Sequence, residues 1–495
     1  MLIYALIIPL LSYILQTYPR LFNRYFGVDV WTRLLEIDHV KKTGHKIPGK
    51  ITKGFIIDGT FDYPIIFPWI FSFFPKKNLL KFQGFVSPFF DALQNVLVFF
   101  IALSLTHSIP VSLVSQIVYS LIPMIPVENS YLTPRSLGYL MFTLSFYPLL
   151  LFYNSSEPKY LVTAVVFTTL LYLTHRFALQ SFIFICVFFA IFTQSYIFLA
   201  VPIIGFVLAI FITKGYYLRV VKGHLYNIYF WTKNYQYRFS HQIHGLALRK
   251  KLDWVGMIYL LLSEFSPIFL IITDVWVISS FIYFFYFLSG SNIEIQSSMY
   301  FLMSLWVIFF YVLGSVILRV KMLIPIGEGQ RYLEMATVPV SILSSVLLFH
   351  FYNSYGFIAI FIFVVIALGN LSMILFIQIK GIIKDKNRSL THELIDLFAY
   401  VNKLPGTPRI MCIPHQITTM TVYHTKADIL VNADNKGLME IMQFYPILKV
   451  PIEELKMKYK LDYLILKESF AKLNEINLKK SKIIYNSKGM LLIKL

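Results

Sequence analysis

Eleven apolar runs dominate the first 379 residues, near 2–18, 85–106, 109–126, 137–153, 159–174, 177–192, 195–213, 266–289, 299–318, 336–353 and 356–379. A helix crossing the roughly 30 Å hydrocarbon core of a bilayer needs about 20 apolar residues. Inside that core every backbone N–H and C=O must be satisfied within the protein, which leaves helices or closed barrels. Uninterrupted runs of this length fit helices, so the pattern predicts an α-helical polytopic membrane protein of about eleven transmembrane helices. Composition agrees: the 495 residues are 57% hydrophobic and only 14% charged, against about 25% charged in soluble domains. The first run, Leu2–Leu15, has neither a basic leader nor a small-residue cleavage site. It reads as a retained anchor.

After Gln378 the composition changes. Residues 389–403 have helical spacing and stop at Pro405-Gly406. Arg409–Ile413, Ile429–Asn432, Tyr463–Lys467, Lys482–Tyr485 and Met490–Ile493 read as strands, and Glu453–Tyr459 reads as a helix following Pro451. The expected organisation is a transmembrane domain over 1–379 and a small C-terminal α/β soluble domain over 380–495. No glycine-rich phosphate fingerprint follows any of these strands, so the C-terminal domain is assigned no nucleotide; its expected role is structural, or that of a lid. Cys186 and Cys412 form no disulfide framework, and Cys412 with His415 makes only half of a metal-ligand pattern.

Two polar stretches interrupt the membrane part, a first loop over 19–84 and a second over 214–254. In the second, Tyr216, Arg219, Tyr229, Trp231 and Arg238 interleave rings with cations, the mixture that a headgroup layer accepts. The net charge of +19 therefore fits anionic lipids and phosphate-bearing lipid substrates, and no nucleic-acid partner is needed. Alternating the eleven spans across the membrane puts 24 Lys and Arg of the membrane part on one face and Lys159 alone on the other. Such segregation suits a one-sided enzyme. Alternating access needs polar groups on both sides and often internal repeats, and no repeat is evident.

The first loop holds five carboxylates: Asp29, Glu36, Asp38, Asp58 and Asp62. Asp29 opens a helical stretch, Val30–Lys42, that stops at Gly44. It is either a helix N-cap or a general base at the membrane surface that takes a proton from an attacking hydroxyl; one residue can be both. Asp58 and Asp62 flank a Gly59 turn and could otherwise pair beside a substrate phosphate or a cation. Residues 64–75 are apolar and punctuated by proline, which suggests that they dip into the membrane edge. Beyond the loop, Thr133-Pro134 fits a cap with proline at the first helical position, leaving Glu128 and Arg135 as candidates. His175 and Arg176 interrupt apolar sequence, where ionisable groups are costly and mark functional sites, unless they sit at a helix end. Arg331 suits bidentate phosphate binding, or else pairs with Glu328 or Glu334. Asp91, Gln94, Asn95 and Asp274 lie within apolar runs, either as helix-to-helix hydrogen bonds or as an ion relay.

The order of these features resembles the GT-C superfamily of membrane glycosyltransferases. The likeness rests on GVDVWTRLLEIDHVKKTGHKIP after the first span, DYPIIFPWI, and QRYLEMATVPVSIL before a late helix, with many spans followed by a soluble domain. No strict DxD occurs in the first loop and no WWD triplet anywhere, which argues against an oligosaccharyltransferase proper. The resemblance implies a polyprenyl-phosphate-linked sugar donor, inversion at the anomeric carbon, and a lipid, glycan or protein acceptor. It implies Asp29 as base or acceptor-orienting group, Arg331 as the phosphate-contacting arginine, and Glu128 as a second acidic residue. A divalent cation is possible and is not required by the sequence. The superfamily's active face is extracytoplasmic, whereas the positive-inside rule would place the basic face in the cytoplasm. The reading adopted is a plasma-membrane protein with its active face and C-terminal domain outside, because the cations have another reason to be there. The alternatives are a carbohydrate-lipid transporter or flippase, and a lipid-linked glycan polymerase or ligase.

Overall fold

The computed structural model describes residues 2–238, 240–245, 267–289, 298–478 and 482–495. They fall into two compact units: Met1–Arg24, Gly84–Tyr217 and Lys251–Lys384 form the first, and Tyr25–Gln83, Leu218–Lys250 and Asp385–Leu495 the second.

In the first unit a helix occupies each apolar run. The run at 266–289 forms two helices, Pro267–Thr273 and Val277–Leu288, broken at Asp274; residue 266 itself lies outside the described residues. Among the described residues seven helices are long and apolar enough to cross a membrane, or eight if Ile197–Ile212 and Tyr216–Tyr237 are one broken span. The count of eleven is not reached by that measure because Ile109–Ser120, Pro158–Tyr172 and Val277–Tyr286 are too short. The span Gly329–Tyr355 is central, 89% buried, while Phe357–Ile383 is 11% buried. Its outward Phe357, Phe361, Leu368 and Phe376 present the surface that lipid chains accept. Inside the bundle polar side chains pair with one another: Gln16, Tyr119 and Asn129 all donate to Asp91, Gln94 donates to Thr143 and Asn95 to Ser120. Such hydrogen bonds tie membrane helices together, so Asp91, Gln94 and Asn95 have the structural role.

The second unit is built on a sheet. The first loop supplies strands β1 (Lys50–Ile51), β2 (Phe55–Ile57) and β3 (Gly59–Thr60), and the C-terminal segment supplies β4 (Arg409–Ile413), β5 (Asp428–Asn432), β6 (Tyr463–Lys467), β7 (Lys482–Ser487) and β8 (Met490–Lys494). All five strands read from the C-terminal sequence are present. The six-stranded sheet runs β2-β5-β4-β6-β8-β7, parallel from β2 through β6, with β8 antiparallel to β6 and to β7. β1 and β3 pair separately. Helices His392–Lys403 and Ile452–Tyr459 match the two expected from the sequence, and Ile452 and Leu455 of the latter enter a core with Ile57, Phe230, Leu464 and Leu491. The first loop is thus part of this unit, where the sequence had suggested a division at 379–380: β2 is the sheet's edge strand.

Candidate functional site

Asp29 is the first residue of the helix Asp29–Lys42. That helix forms because Val30, Trp31, Leu34, Ile37 and Val40 recur on one buried face. The Trp31 ring packs against Tyr423 and His424, with centroids 5.5 and 4.8 Å away. The helix ends at Gly44, whose φ of 68° only glycine adopts without strain. Val28 stands at the cap, and no side-chain capping bond forms there, so the N-cap reading of Asp29 does not hold. Its acidity in the first turn still complements the helix dipole.

The loop's other carboxylates sort themselves by partner. Glu36 accepts from Arg33 Nη1 at 2.9 and 2.6 Å, and Asp38 pairs with Lys42. Asp62 is buried and accepts from the Asn435 backbone N–H at 2.9 Å and from its Nδ2 at 2.8 Å. Asp434 beside it accepts from Thr60 N and Gly437 N. Asp62 is therefore a strut between the loop and the β5 turn. Asp58 is exposed between β2 and β3, and Asp29 is exposed at its helix start. Neither makes a hydrogen bond or ion pair among the described residues.

Around Asp29 lie groups that sequence reading passed over. Arg33 Cζ sits 3.7 Å from the centroid of the Tyr63 ring. Burial favours the neutral guanidinium, but Glu36, Tyr63 and Asp29 outweigh it and hold Arg33 charged. Tyr445 is clamped, with His415 stacked at 4.2 Å and Phe230 parallel at 6.1 Å. Burial, and then the Asp29 charge, push its hydroxyl up to about 12. Burial pushes His415 down to about 4, so its ring is neutral at physiological pH. The one sequence signal for any of these was Arg33, a helical turn after Asp29; Tyr445 lies too far along the chain. Cys412 is buried and bonded to Thr421 Oγ1 at 3.6 Å. Among the described residues no three His, Cys, Asp or Glu side chains converge, so no metal ligand set is assigned.

In the first unit the basic candidates gather at one end of two helices. Arg135 opens Arg135–Ser155, is buried, and lies 3.9 Å from the equally buried Glu334. Its N–H donates to Thr133 Oγ1 at 3.3 Å, but Pro134 stands at the cap with no side-chain capping bond, so the expected arrangement of Thr133 as cap and Pro134 as first helical residue does not hold. His175 caps Arg176–Thr193 through Nδ1, which accepts from Ala178 N at 3.2 Å, and its Cβ abuts Gly138. One turn on, Gln180 Nε2 donates to Tyr332 Oη at 2.6 Å, and the Phe177 ring packs tilted against Tyr332 at 4.7 Å. These contacts bring Arg135, His175, Arg176 and the 327–334 segment together. Arg331 within that segment is paired through Nε with Glu328 at 3.0 Å. The Glu128 side chain lies outside the described residues. Asp274 is fully buried at the break between Pro267–Thr273 and Val277–Leu288.

No family model matches the sequence, and no curated protein matches it. Solved structures do. ArnT from Cupriavidus metallidurans bound to undecaprenyl phosphate aligns at a TM-score of 0.56 with 11% identity, over 99% of this chain and 97% of that one. The Archaeoglobus fulgidus oligosaccharyltransferase AglB, in complex with an inhibitory peptide and a dolichol-phosphate, aligns at 0.55 with 11% identity, over 99% of this chain and 74% of that one. The apo form of the A. fulgidus enzyme gives 0.56 at 10% identity, over 99% of this chain and 74% of that one. The chain shares the fold of these solved structures, the polytopic helical architecture with a soluble domain that the resemblance implied, and is an integral membrane protein.

Proposed function

We propose that this protein is a membrane glycosyltransferase that moves a hexosyl or pentosyl group from a polyprenyl-phosphate-linked donor to a lipid, glycan or protein acceptor. The observation that carries the reading is the match, over 99% of this chain and 97% of the other, to a structure that holds undecaprenyl phosphate. Asp29 supports it as a surface carboxylate with no hydrogen bond among the described residues, and the resemblance implies it as the first-loop acidic residue.

In the proposed reaction an acceptor hydroxyl attacks the anomeric carbon from the face opposite the phosphate. The new C–O bond forms as the carbon–phosphate-oxygen bond breaks, and the electron pair leaves with the polyprenyl phosphate. Inversion follows from the in-line attack. Asp29 takes the hydroxyl proton, as a carboxylate in hydrogen-bond reach of a nucleophile can. The charge that develops on the leaving phosphate calls for preorganised cations. Arg135, Arg176 and Arg331, with His175, are the groups proposed for it. Arg331 meets Glu328 through Nε, and a guanidinium has five donors, so its outer nitrogens suit a phosphate. Asp58 and Glu128 stay as proposed accessory acidic groups, whereas the strut role of Asp62 argues for positioning the loop. No step is routed through a metal ion. The active face and the C-terminal segment are proposed to be extracytoplasmic.

One observation favours the second reading, a carbohydrate-lipid carrier: the buried carboxylate of Asp274 at a helix break. The glycolipid and glycoprotein profile of a deletion strain separates the two. A transferase predicts one glycan class missing its sugar while the polyprenyl-linked donor accumulates on the active face. A donor trapped on the opposite leaflet contradicts it.

A further inference from the structure

The second unit carries large apolar side chains where a water-facing surface would not keep them. The helix Tyr216–Asn234 starts three residues after the apolar helix Ile197–Ile212 ends. It buries Tyr216, Tyr217, Val220, Gly223, Phe230 and Asn234 on one side, where Gly223 meets Asp62. The opposite side, at helical spacing, carries Leu218, Lys222, Leu225, Tyr229 and Lys233, all exposed. Leu218, Leu225 and Tyr229 are 52%, 59% and 52% exposed. Lys233 Nζ stands 5.6 Å over the Tyr229 ring.

A second patch lies beside the helix Ile66–Ser72. Trp69, Phe73 and Phe74 are 45%, 55% and 48% exposed, and Lys41 donates to the Phe74 carbonyl at 3.0 Å. Residues 45–48 join the two patches: His45 stacks on Phe73 at 4.2 Å, and Arg219 reaches the Pro48 carbonyl at 3.5 Å. Lysines stand among the rings in both, Lys222 and Lys233 in the first and Lys41 beside the second. That is the composition of a helix lying in a headgroup plane, where the apolar side enters the acyl boundary and cations meet anionic lipid. A partner protein would favour a patch without lysines at its centre. The chain has also just left an apolar span, which puts a bilayer edge within reach of Tyr216.

We propose that the stripe Leu218–Leu225–Tyr229, together with Trp69, Phe73 and Phe74, docks in the anionic headgroup layer and holds the second unit on the membrane surface. Because Asp62 packs on Gly223 and ties to Asn435, the docked helix carries the first loop with it. The docking is independent of any sugar-transfer activity.

The test uses full-length protein in vesicles of phosphatidylcholine with or without phosphatidylglycerol. Leu225→Cys and Phe73→Cys are each labelled with an environment-sensitive dye; the native cysteines are buried. Expected are a blue-shifted emission and quenching by shallow spin-labelled lipid that exceeds quenching by deep spin-labelled lipid at least twofold, stronger with phosphatidylglycerol. Lys222→Glu/Lys233→Glu should abolish the phosphatidylglycerol dependence. Equal quenching at both depths, or none at either position, overturns the proposal. So does a label insensitive to phosphatidylglycerol in the wild-type background.

Discussion

Asp62 and Asp58 stand four residues apart, yet their surroundings predict opposite outcomes. Asp62→Ala removes the acceptor of two Asn435 donors in a buried place, and leaving such donors unpaired costs about 1–3 kcal/mol. Asp58→Ala touches an exposed side chain, and such changes stay within about 0.5 kcal/mol. Thermal unfolding of the purified protein checks both; equal shifts would refute the strut. Two histidines give a pH prediction. Burial holds His415 near 4, and burial, then Lys76, hold His424 near 4, against an ordinary 6.5. Each must stay neutral in the folded state, so the stability it allows is present above pH 6.5 and is lost as the pH falls toward 4. Unfolding midpoints measured across that window should fall in the wild type and fall less in His415→Gln/His424→Gln. A flat wild-type profile contradicts this.

At the scale of elements, β2 is the test case. Ile57 is buried in the core of the second unit and its carbonyl accepts from Ala433 N at 3.2 Å. Ile57→Ala should cost about 2–4 kcal/mol and raise hydrogen exchange across β5, residues 428–432, more than across β7; unchanged β5 protection would count against the pairing. Sequence pattern could show β4 to β8 because each is a run of four or more residues rich in Ile, Leu and Val between turn signals. It could not show β2, which has three residues, Phe55-Ile56-Ile57, and a partner over 370 positions away. The same rule sorts the site. Arg331 with Glu328, and Arg33 with Glu36, are three residues apart and legible on a helix. Asp62 with Asn435, Arg135 with Glu334, and Tyr445 near Asp29 depend on the chain's return and left no local trace. The helix starting at Asp29 and stopping at Gly44 was readable from spacing, while the absence of a capping bond at Asp29 was not.

For the whole molecule, the apolar runs decided the fold before any motif did, and the match to the ArnT structure covers 99% of the chain. Two properties then remain to be measured, sidedness and chemistry. Cysteine placed at Lys50 should react with an impermeant reagent in intact cells if the second unit faces outward. Reaction only after lysis would put the basic face in the cytoplasm, as the positive-inside rule has it. Chemistry is the central claim, and complementation of the deletion strain tests it most directly. Asp29→Asn keeps the shape and removes the base; loss of a general base lowers rates by roughly 10²–10⁴-fold. The expected result is normal membrane levels of Asp29→Asn with sugar transfer lost, and Asp274→Asn restoring the glycan fully. Full restoration by Asp29→Asn, with Asp274→Asn inactive, would contradict the transferase and leave the carrier standing.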